Sequence, residues 1–203
     1  EVLSRHFPAY GFLGEEMGER AGQVNTRWII DPIDGTKSFI RKIPLWGCLI
    51  GLEYQGEQIA GTVCCPGLNC TYHALRGEGA FCNNERIRVS PVQDMRKSFM
   101  SYSSIAWFQK AGMQQQFLDL ASSTDRQRGF GDFYGFMLVA QGSCDFMIDH
   151  GVHPWDVSAL IPIVEEAGGR MTDWQNNRTI EKPDVLASNG LLHDEILLKL
   201  TQR

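Results

Sequence analysis

The sequence lacks long hydrophobic runs and an excess of basic residues, and each absence removes a class of protein. No apolar run approaches the roughly 20 residues that a membrane-spanning helix needs, and no charged-then-apolar leader is visible, so we expect no secretory signal. Lys and Arg number 19 against 24 Asp and Glu, which gives a net charge of −5. Because there is no basic stripe, we expect neither nucleic acid nor a membrane as partner.

Disulfide frameworks are also disfavoured. Six cysteines in 203 residues are more typical of a reducing compartment, and we expect a cytoplasmic protein. Cys64, Cys65, Cys70 and His73 lie near one another in sequence, but their spacing fits no familiar zinc pattern and they fall in strand-like segments. We therefore interpret these cysteines as small buried hydrophobes.

Strand and helix patterns alternate along the chain without repeats or linkers, which predicts one domain over 1–203 with halves of roughly 1–100 and 101–203. A chain of this length buries roughly 70% of its unfolded surface. Hairpins followed by helices indicate an α+β architecture. Strands are predicted at 11–13, 28–30, 46–54, 58–65, 69–75, 79–81 and 144–149, and helices at 107–120, 132–140, 154–167 and 191–200.

The most informative segment is residues 28–37, Trp-Ile-Ile-Asp-Pro-Ile-Asp-Gly-Thr-Lys. Its apolar start predicts a buried strand, and we expect Pro32 to end that strand because proline has no N–H to donate. Gly35 would let the backbone approach a ligand closely, and Thr36 is a typical helix N-cap. The segment therefore predicts a strand–turn–helix junction.

The same junction would place Asp31 and Asp34 beside free backbone N–H groups. Carboxylates bind hard divalent cations, and N–H groups at a helix start bind anions. One turn could then hold a metal and the phosphate on which it acts. The alternative is a plain turn, since Asp-Pro and Asp-Gly are ordinary turn dipeptides.

Two further acidic sites add to this pair. Glu15 follows a short apolar segment and would lie at a strand end, whereas Glu16 is interpreted as solvated surface. Asp156 follows His153-Pro154-Trp155 in the first turn of an amphipathic helix that Gly168-Gly169 would stop, although it could simply be a favourable charge at that helix end. We leave His153 out of the predicted site.

Three motifs in this order resemble the signatures of the inositol monophosphatase superfamily: Gly-Glu-Glu at 14–16, Asp-Pro-Ile-Asp-Gly-Thr at 31–36 and Trp-Asp at 155–156. The resemblance runs from about Phe7 to the C-terminus. Lys-Ser-Phe-Ile at 37–40, Pro-Leu-Trp-Gly at 44–47 and Arg-Gly-Phe-Gly-Asp-Phe-Tyr-Gly at 128–135 look most like the histidinol-phosphate phosphatase branch.

The resemblance implies a layered α-β-α-β-α sandwich. Relatives carry a helical pair and a mobile acidic loop before the point at which this chain opens, and residues 1–7 look like the end of a helix. We therefore expect the N-terminal helical pair to be absent and the chain to be N-terminally truncated, which leaves the activity of this piece by itself open. A homodimer is also implied.

The implied activity is Mg²⁺-dependent hydrolysis of a small phosphate monoester, with two or three Mg²⁺ ions per site that ionise a water and neutralise the leaving oxygen. The implied metal ligands are Glu15, Asp31, the Ile33 carbonyl, Asp34 and Asp156. The implied catalytic residues are Glu15, Asp34 and Thr36. The implied substrate-binding residues are Gly35, Thr36, Arg128, Asp132, Asp149 and Asp156.

Among the substrate-binding residues, the planar fork of Arg128 would suit an anionic group, although an exposed Arg beside a helix is nearly as good an interpretation. Asp132 and Asp149 would pair with the ammonium of histidinol phosphate, or with the hydroxyls of a sugar alcohol.

Three hypotheses remain at this stage. The first is a histidinol-phosphate phosphatase, and the second is another Mg²⁺ phosphatase of the superfamily, acting on inositol monophosphate or on a 3′(2′),5′-bisphosphate nucleotide. The third is a non-catalytic metal-binding module derived from the fold.

Overall fold

A computed structural model describes residues 1–201 and contains two β-sheets separated and flanked by helices. The strands are β1 (Gly11–Gly14), β2 (Gly18–Arg20), β3 (Thr26–Asp34), β4 (Gly47–Tyr54), β5 (Glu57–Cys65), β6 (Cys70–Leu75), β7 (Gly79–Cys82), β8 (Glu85–Arg86), β9 (Phe99–Tyr102), β10 (Arg126–Arg128), β11 (Phe146–His150), β12 (Arg170–Thr172) and β13 (Asp184–Ser188). The α-helices are α1 (Val2–His6), α2 (Thr36–Ile40), α3 (Ile105–Lys110), α4 (Gln114–Ser122), α5 (Asp132–Ala140), α6 (Pro154–Val157), α7 (Leu160–Glu166) and α8 (His193–Thr201).

The first sheet has eight strands in the order β2-β1-β3-β4-β5-β6-β7-β8. All neighbours are antiparallel except β1 and β3, which run parallel. The strands predicted at 46–54 and 58–65 form a hairpin, and Gln55 and Gly56 both have positive φ in the tight turn between β4 and β5. Asn83 and Asn84 have positive φ in the turn between β7 and β8.

The second sheet has five strands in the order β10-β9-β11-β13-β12, with β9 parallel to both of its neighbours. Its residues alternate between two faces, as a pleated strand requires. Met147 belongs to a core cluster that this sheet shares with α5, α7 and the first sheet, whereas Ile148 belongs to a second cluster with α3, α4 and α8. The sheet is therefore covered on both faces.

The resulting layers are the first sheet, then α5 to α7, then the second sheet, then α3, α4 and α8. The predicted α+β layered architecture is confirmed. Across residues 1–201, no helix has both the length and the apolar character that crossing a membrane would require.

Three local predictions are wrong. Strand β3 does not stop at Pro32: it continues to Asp34, because the ladder absorbs residues 32–33 as an irregularity between the pairs Asp31–Leu49 and Asp34–Gly47. The helix predicted over 107–120 is divided into α3 and α4 at Gly112, whose φ is +71°.

The third correction concerns the helix that follows Pro154, which is divided into α6 and α7 around Ser158 and Ala159. Pro162 has no N–H to donate to the carbonyl of Ser158 four residues earlier. The turn formed by Ser158 and Ala159 packs against the first sheet at Gly51 and Gly61. A Cβ at either glycine would collide with Ser158 or Ala159. The interruption thus lets α6 and α7 follow the surface of the sheet.

Candidate active site

The irregular end of β3 positions two carboxylates beside the first sheet. Asp31 lies opposite Leu49 and Asp34 opposite Gly47, with one more residue between them on β3 than on β4. The backbone N–H of Ile33 donates to Asp31 Oδ1 at 2.9 Å, which fixes that side chain against its own turn. Asp34 Oδ2 accepts the backbone N–H of Phe133 at 2.7 Å and so links the turn to the start of α5.

The turn that follows requires a glycine. Gly35 has φ +77°, and a Cβ there would lie 2.8 Å from the Leu45 carbonyl oxygen and 3.3 Å from Asp132 Oδ2. The prediction that Thr36 is an N-cap is wrong: Gly35 occupies that position and Thr36 is the first helical residue. The Thr36 hydroxyl instead donates to the Ile33 carbonyl at 2.9 Å.

The third carboxylate comes from the other half of the chain. Asp156 lies in the first turn of α6, after Pro154 at its first position. The backbone N–H of His153 donates to Asp156 Oδ2 at 2.8 Å, and the His153 ring stacks on Trp155 with centroids 5.0 Å apart. This local hydrogen bond orients Asp156 towards the β3 turn.

Asp31, Asp34 and Asp156 converge: one oxygen of each lies within 4.8 Å of the other two. Burial, together with the negative charges of Asp156 and Glu15, raises the pKa of Asp31 to about 7. Burial is also the main reason why the pKa of Asp34 lies well above its usual value and that of Asp156 is raised. One buried and two half-buried carboxylates that repel one another, with oxygens as the only donors, fit a hard divalent cation.

The two neighbouring glutamates differ in position. Glu15 lines the same cleft as the three aspartates, and its negative charge contributes to the raised pKa of Asp31. Its carboxylate lies outside the tight cluster that the three aspartates form. Glu16 is exposed and does not line the cleft.

Asp132 and Asp149 form a second acidic group next to the first. The cleft, of about 580 Å³, includes Asp132 in its wall, and an adjoining inner cavity of about 100 Å³ is lined by both Asp132 and Asp149. Burial raises the pKa of Asp149 to about 7, although Asp149 accepts the backbone N–H of His150 at 2.8 Å. Burial and the charge of Asp156 raise the pKa of Asp132.

Arg128 is the predicted site residue that the structure places elsewhere. It lies in the edge strand β10, where Gln127 points inwards and the flanking Arg126 and Arg128 point to solvent. Its guanidinium donates to the Gln127 carbonyl at 2.8 Å, and the side chain is not part of the cleft wall. Arg128 therefore does not line the cleft in this structure, and its contact with the substrate stays a prediction.

Side chains that the sequence did not assign to the site also line the cleft: Lys37, Ser103, Trp107, Lys110, Phe130 and His153. His153, which is left out of the predicted site, lies in the cleft wall because it directly precedes the first turn of α6, which carries Asp156. Ser103 and Trp107 follow β9, a strand that the pattern did not predict, and no motif marks them.

The cysteines contribute no comparable site. All six are free thiols. Among residues 1–201, the three aspartates form the one group of His, Cys, Asp and Glu side chains that lie close enough together to share an ion.

The layered α+β sandwich holds an acidic cluster suited to a divalent cation, and a glycine turn at a helix start lies beside that cluster. This combination defines the class of metal-dependent phosphoryl-transfer hydrolases. The chain belongs to the inositol monophosphatase family, whose family model matches residues 1–203. Its relatives are named phosphatases, and the chain is a phosphomonoesterase of this metal-dependent family.

Curated relatives show how far the similarity extends. A histidinol-phosphatase of Mycobacterium tuberculosis is 38% identical over 205 residues, which cover 98% of this chain and 79% of the relative. An inositol-1-monophosphatase of Caulobacter vibrioides is 33% identical, covering 98% and 81%. Among solved structures, the inositol monophosphatase of Thermotoga maritima superposes with a TM-score of 0.89 at 33% identity, covering 98% of this chain and 77% of that one.

Proposed function

We propose that the chain hydrolyses L-histidinol phosphate to L-histidinol and phosphate. The observation that carries this proposal is the second acidic group. Asp132 and Asp149 line an inner cavity beside the metal cluster, and they remain as surplus negative charge after the cluster has been neutralised by cations. Buried carboxylates need a positive partner, and the amino group and imidazole of histidinol phosphate would supply one. Similarity to histidinol-phosphatases over nearly the whole chain supports the same substrate.

The metal ligands we propose are Glu15, Asp31, the Ile33 carbonyl, Asp34 and Asp156. When bound, two or three Mg²⁺ ions would supply positive charge that lowers the pKa of water and stabilises the leaving oxygen. The chemistry of the donors supports Mg²⁺, because all of them are oxygens.

The remaining roles follow from the turn. The Thr36 hydroxyl donates its proton to the Ile33 carbonyl, so its oxygen is free to accept a hydrogen bond from the attacking water and to orient it. Glu15, in the wall of the cleft, would take up the proton that this water loses. The backbone N–H groups of Gly35 and Thr36 would hold the phosphate oxygens, and Asp132 and Asp149 would hold the cationic end of the substrate.

A panel of phosphate esters tests the substrate. Phosphate release with Mg²⁺ is measured for L-histidinol phosphate, inositol 1-phosphate and adenosine 3′,5′-bisphosphate. We expect kcat/KM to be at least about tenfold higher for histidinol phosphate, because the other two esters carry no cationic group to pair with buried carboxylates. A higher kcat/KM for either of the other two would contradict the proposal.

A matched pair of variants tests the carboxylates. Asp132→Asn should raise the KM for histidinol phosphate by about tenfold or more while inositol 1-phosphate is affected less, because only the first loses a charge pair. Asp119→Asn, an exposed change on α4, should leave both values unchanged. Equal losses for the two esters would assign Asp132 to the metal site instead.

We also propose that the protein works as a homodimer in a reducing compartment such as the cytoplasm. The end of α2 and the loop after it expose Phe39, Ile40 and Ile43, with Ile40 72% exposed, and a second copy covering this surface would remove it from water. The six free thiols support the compartment. Light scattering on the wild type and on Ile40→Asp tests the dimer, and a wild-type mass equal to one chain would contradict it.

A further inference from the structure

An aromatic side chain lies where the cleft meets the inner cavity. Trp107 on α3 lines both spaces and is 38% exposed. The cavity it borders is lined by Asp34 and Asp156 of the metal cluster and by the additional carboxylates Asp132 and Asp149. An apolar aromatic surface and surplus carboxylates therefore face the same small volume. Flat organic cations are recognised by this combination, through the electron-rich face of the ring and the negative charge of the carboxylates.

The neighbours of Trp107 fix its position. A Cβ added to Gly151 would lie 3.2–3.3 Å from three indole atoms, so the indole packs directly on the backbone two residues beyond Asp149. On the same helix, Lys110 places its Nζ 4.1 Å from the centre of the indole ring. Lys110 is exposed, and its ammonium occupies a cation position over the ring.

We propose that Trp107 is a specificity-determining residue whose indole packs against the imidazole ring of the substrate. The inference rests on the proposed function and adds the residue that distinguishes an imidazole-bearing ester from a polyol phosphate. Lys110 covers the indole while the cleft is empty and moves into solvent when the substrate enters. A polyol ring has neither a π-system nor a charge, and it gains less from the same surface.

Inhibition by the two reaction products distinguishes a contact between Trp107 and the imidazole from a general effect on the cleft. Orthophosphate would occupy only the metal end of the cleft, and histidinol only the other end. For Trp107→Ala, we expect the KM for histidinol phosphate and the inhibition constant of histidinol to rise about tenfold. The inhibition constant of orthophosphate should stay within about twofold. Trp107→Phe, which keeps an aromatic face, should restore most of the affinity.

Two variants on the same helix complete the design. Ile105→Ala, a half-exposed apolar change outside the cleft wall, should leave the KM unchanged. Lys110→Ala should lower the KM, because the shortened side chain no longer covers the indole. An unchanged or higher KM for Lys110→Ala would overturn the role assigned to the lysine.

The outcomes also separate this inference from the function on which it rests. Suppose that the wild type hydrolyses histidinol phosphate. If Trp107→Ala then leaves the KM unchanged, or raises the inhibition constant of orthophosphate by the same factor as the KM, the role of Trp107 is overturned and the proposed function stands. If the wild type hydrolyses inositol 1-phosphate but not histidinol phosphate, the proposed function and this inference are overturned together.

Discussion

Asp34 is the residue through which the β3 turn and α5 are joined. Its carboxylate belongs to the acidic cluster and accepts the backbone N–H of Phe133. In Asp34→Asn, the side-chain carbonyl can still accept that N–H, but the negative charge is lost. We therefore expect kcat/KM with Mg²⁺ to fall about a thousandfold or more, with the fold intact.

The melting temperature in metal-free buffer is the control for this variant. Asp34→Asn removes a buried charge that repels its neighbours, so the melting temperature should equal or exceed that of the wild type. Turnover at the wild-type rate would show that Asp34 is not a ligand.

Glu15 and Glu16 form a natural matched pair, adjacent in sequence and different in position. Glu15→Gln should lower kcat/KM by about a hundredfold or more, because a carboxylate in the cleft wall is lost. Glu16→Gln should change it less than about twofold, since that side chain is exposed outside the cleft. Equal effects of the two variants in the phosphate-release assay would mean that the wrong glutamate had been assigned to the cleft.

The acidic side chains could be predicted from sequence because each lies at the end of a strand or helix with its own local pattern. Trp107 could not, because its place in the cleft depends on the close approach of Gly151, a contact across 44 positions that leaves no local trace. The orientation of Arg128 was equally invisible in the sequence, because it depends on the short strand β10, whose two-residue alternation turns the side chain to solvent.

At the scale of elements, the hydrophobic periodicity of the sequence predicted most strands and helices. The wrongly predicted end of β3 and the two undivided helices each involve a proline or a glycine. Helix α5 has the predicted bounds, Asp132–Ala140, because its apolar pattern is uninterrupted and Gly142 stops it. The division between α6 and α7 depends on packing against Gly51 and Gly61, and distant partners of this kind cannot be identified from one sequence. The same is true of β13, which is paired on both sides.

Gly61→Ala tests the contact between the first sheet and the turn before α7. A methyl group there would collide with the Ala159 carbonyl, and the turn could not move without shifting α6. We expect the free energy of unfolding in urea to fall by about 3 kcal/mol. Thr62→Ala, the next residue along β5, should cost less than about 1 kcal/mol, and an equally small cost for Gly61→Ala would refute the close contact.

His193 predicts a pH dependence at the junction of β12, β13 and α8. It is fully buried, and its Nε2 lies 2.9 Å from the Thr172 hydroxyl, which itself donates to the Asp173 carbonyl. That hydroxyl must therefore accept from Nε2–H, and the Ser188 hydroxyl, 2.8 Å from Nδ1, must donate. The ring is neutral, and burial lowers its pKa from 6.5 to about 4.

Because the folded pKa is lower than the unfolded one, the unfolded chain binds the proton first as the pH falls. The stability that His193 contributes is complete above pH 6.5 and is lost between pH 6.5 and 4. Urea unfolding of wild type and His193→Asn should show the wild-type advantage shrinking by about 3 kcal/mol from pH 7 to pH 4. An advantage independent of pH would contradict the neutral, buried ring.

At the scale of the whole molecule, the site exists only where the two sheets and the helices between them meet. Asp31 and Asp34 come from the first sheet, and Asp132, Asp149 and Asp156 come from elements that begin about a hundred residues later. No periodicity or local motif predicts that these segments converge. Resemblance to a family supplied that expectation, and the layered architecture supports it.

The central claim is that Asp31, Asp34 and Asp156 bind a divalent cation together. Measuring Mn²⁺ binding by electron paramagnetic resonance tests this claim most directly, because protein-bound Mn²⁺ loses the sharp signal of the free ion. Mn²⁺ shares the preference of Mg²⁺ for oxygen ligands. With orthophosphate present, the wild type and the exposed control Asp119→Asn should remove the free signal equally, and Asp31→Asn should bind about tenfold more weakly or worse. Equal binding by the wild type and Asp31→Asn, or no loss of the signal in the wild type, would contradict the account.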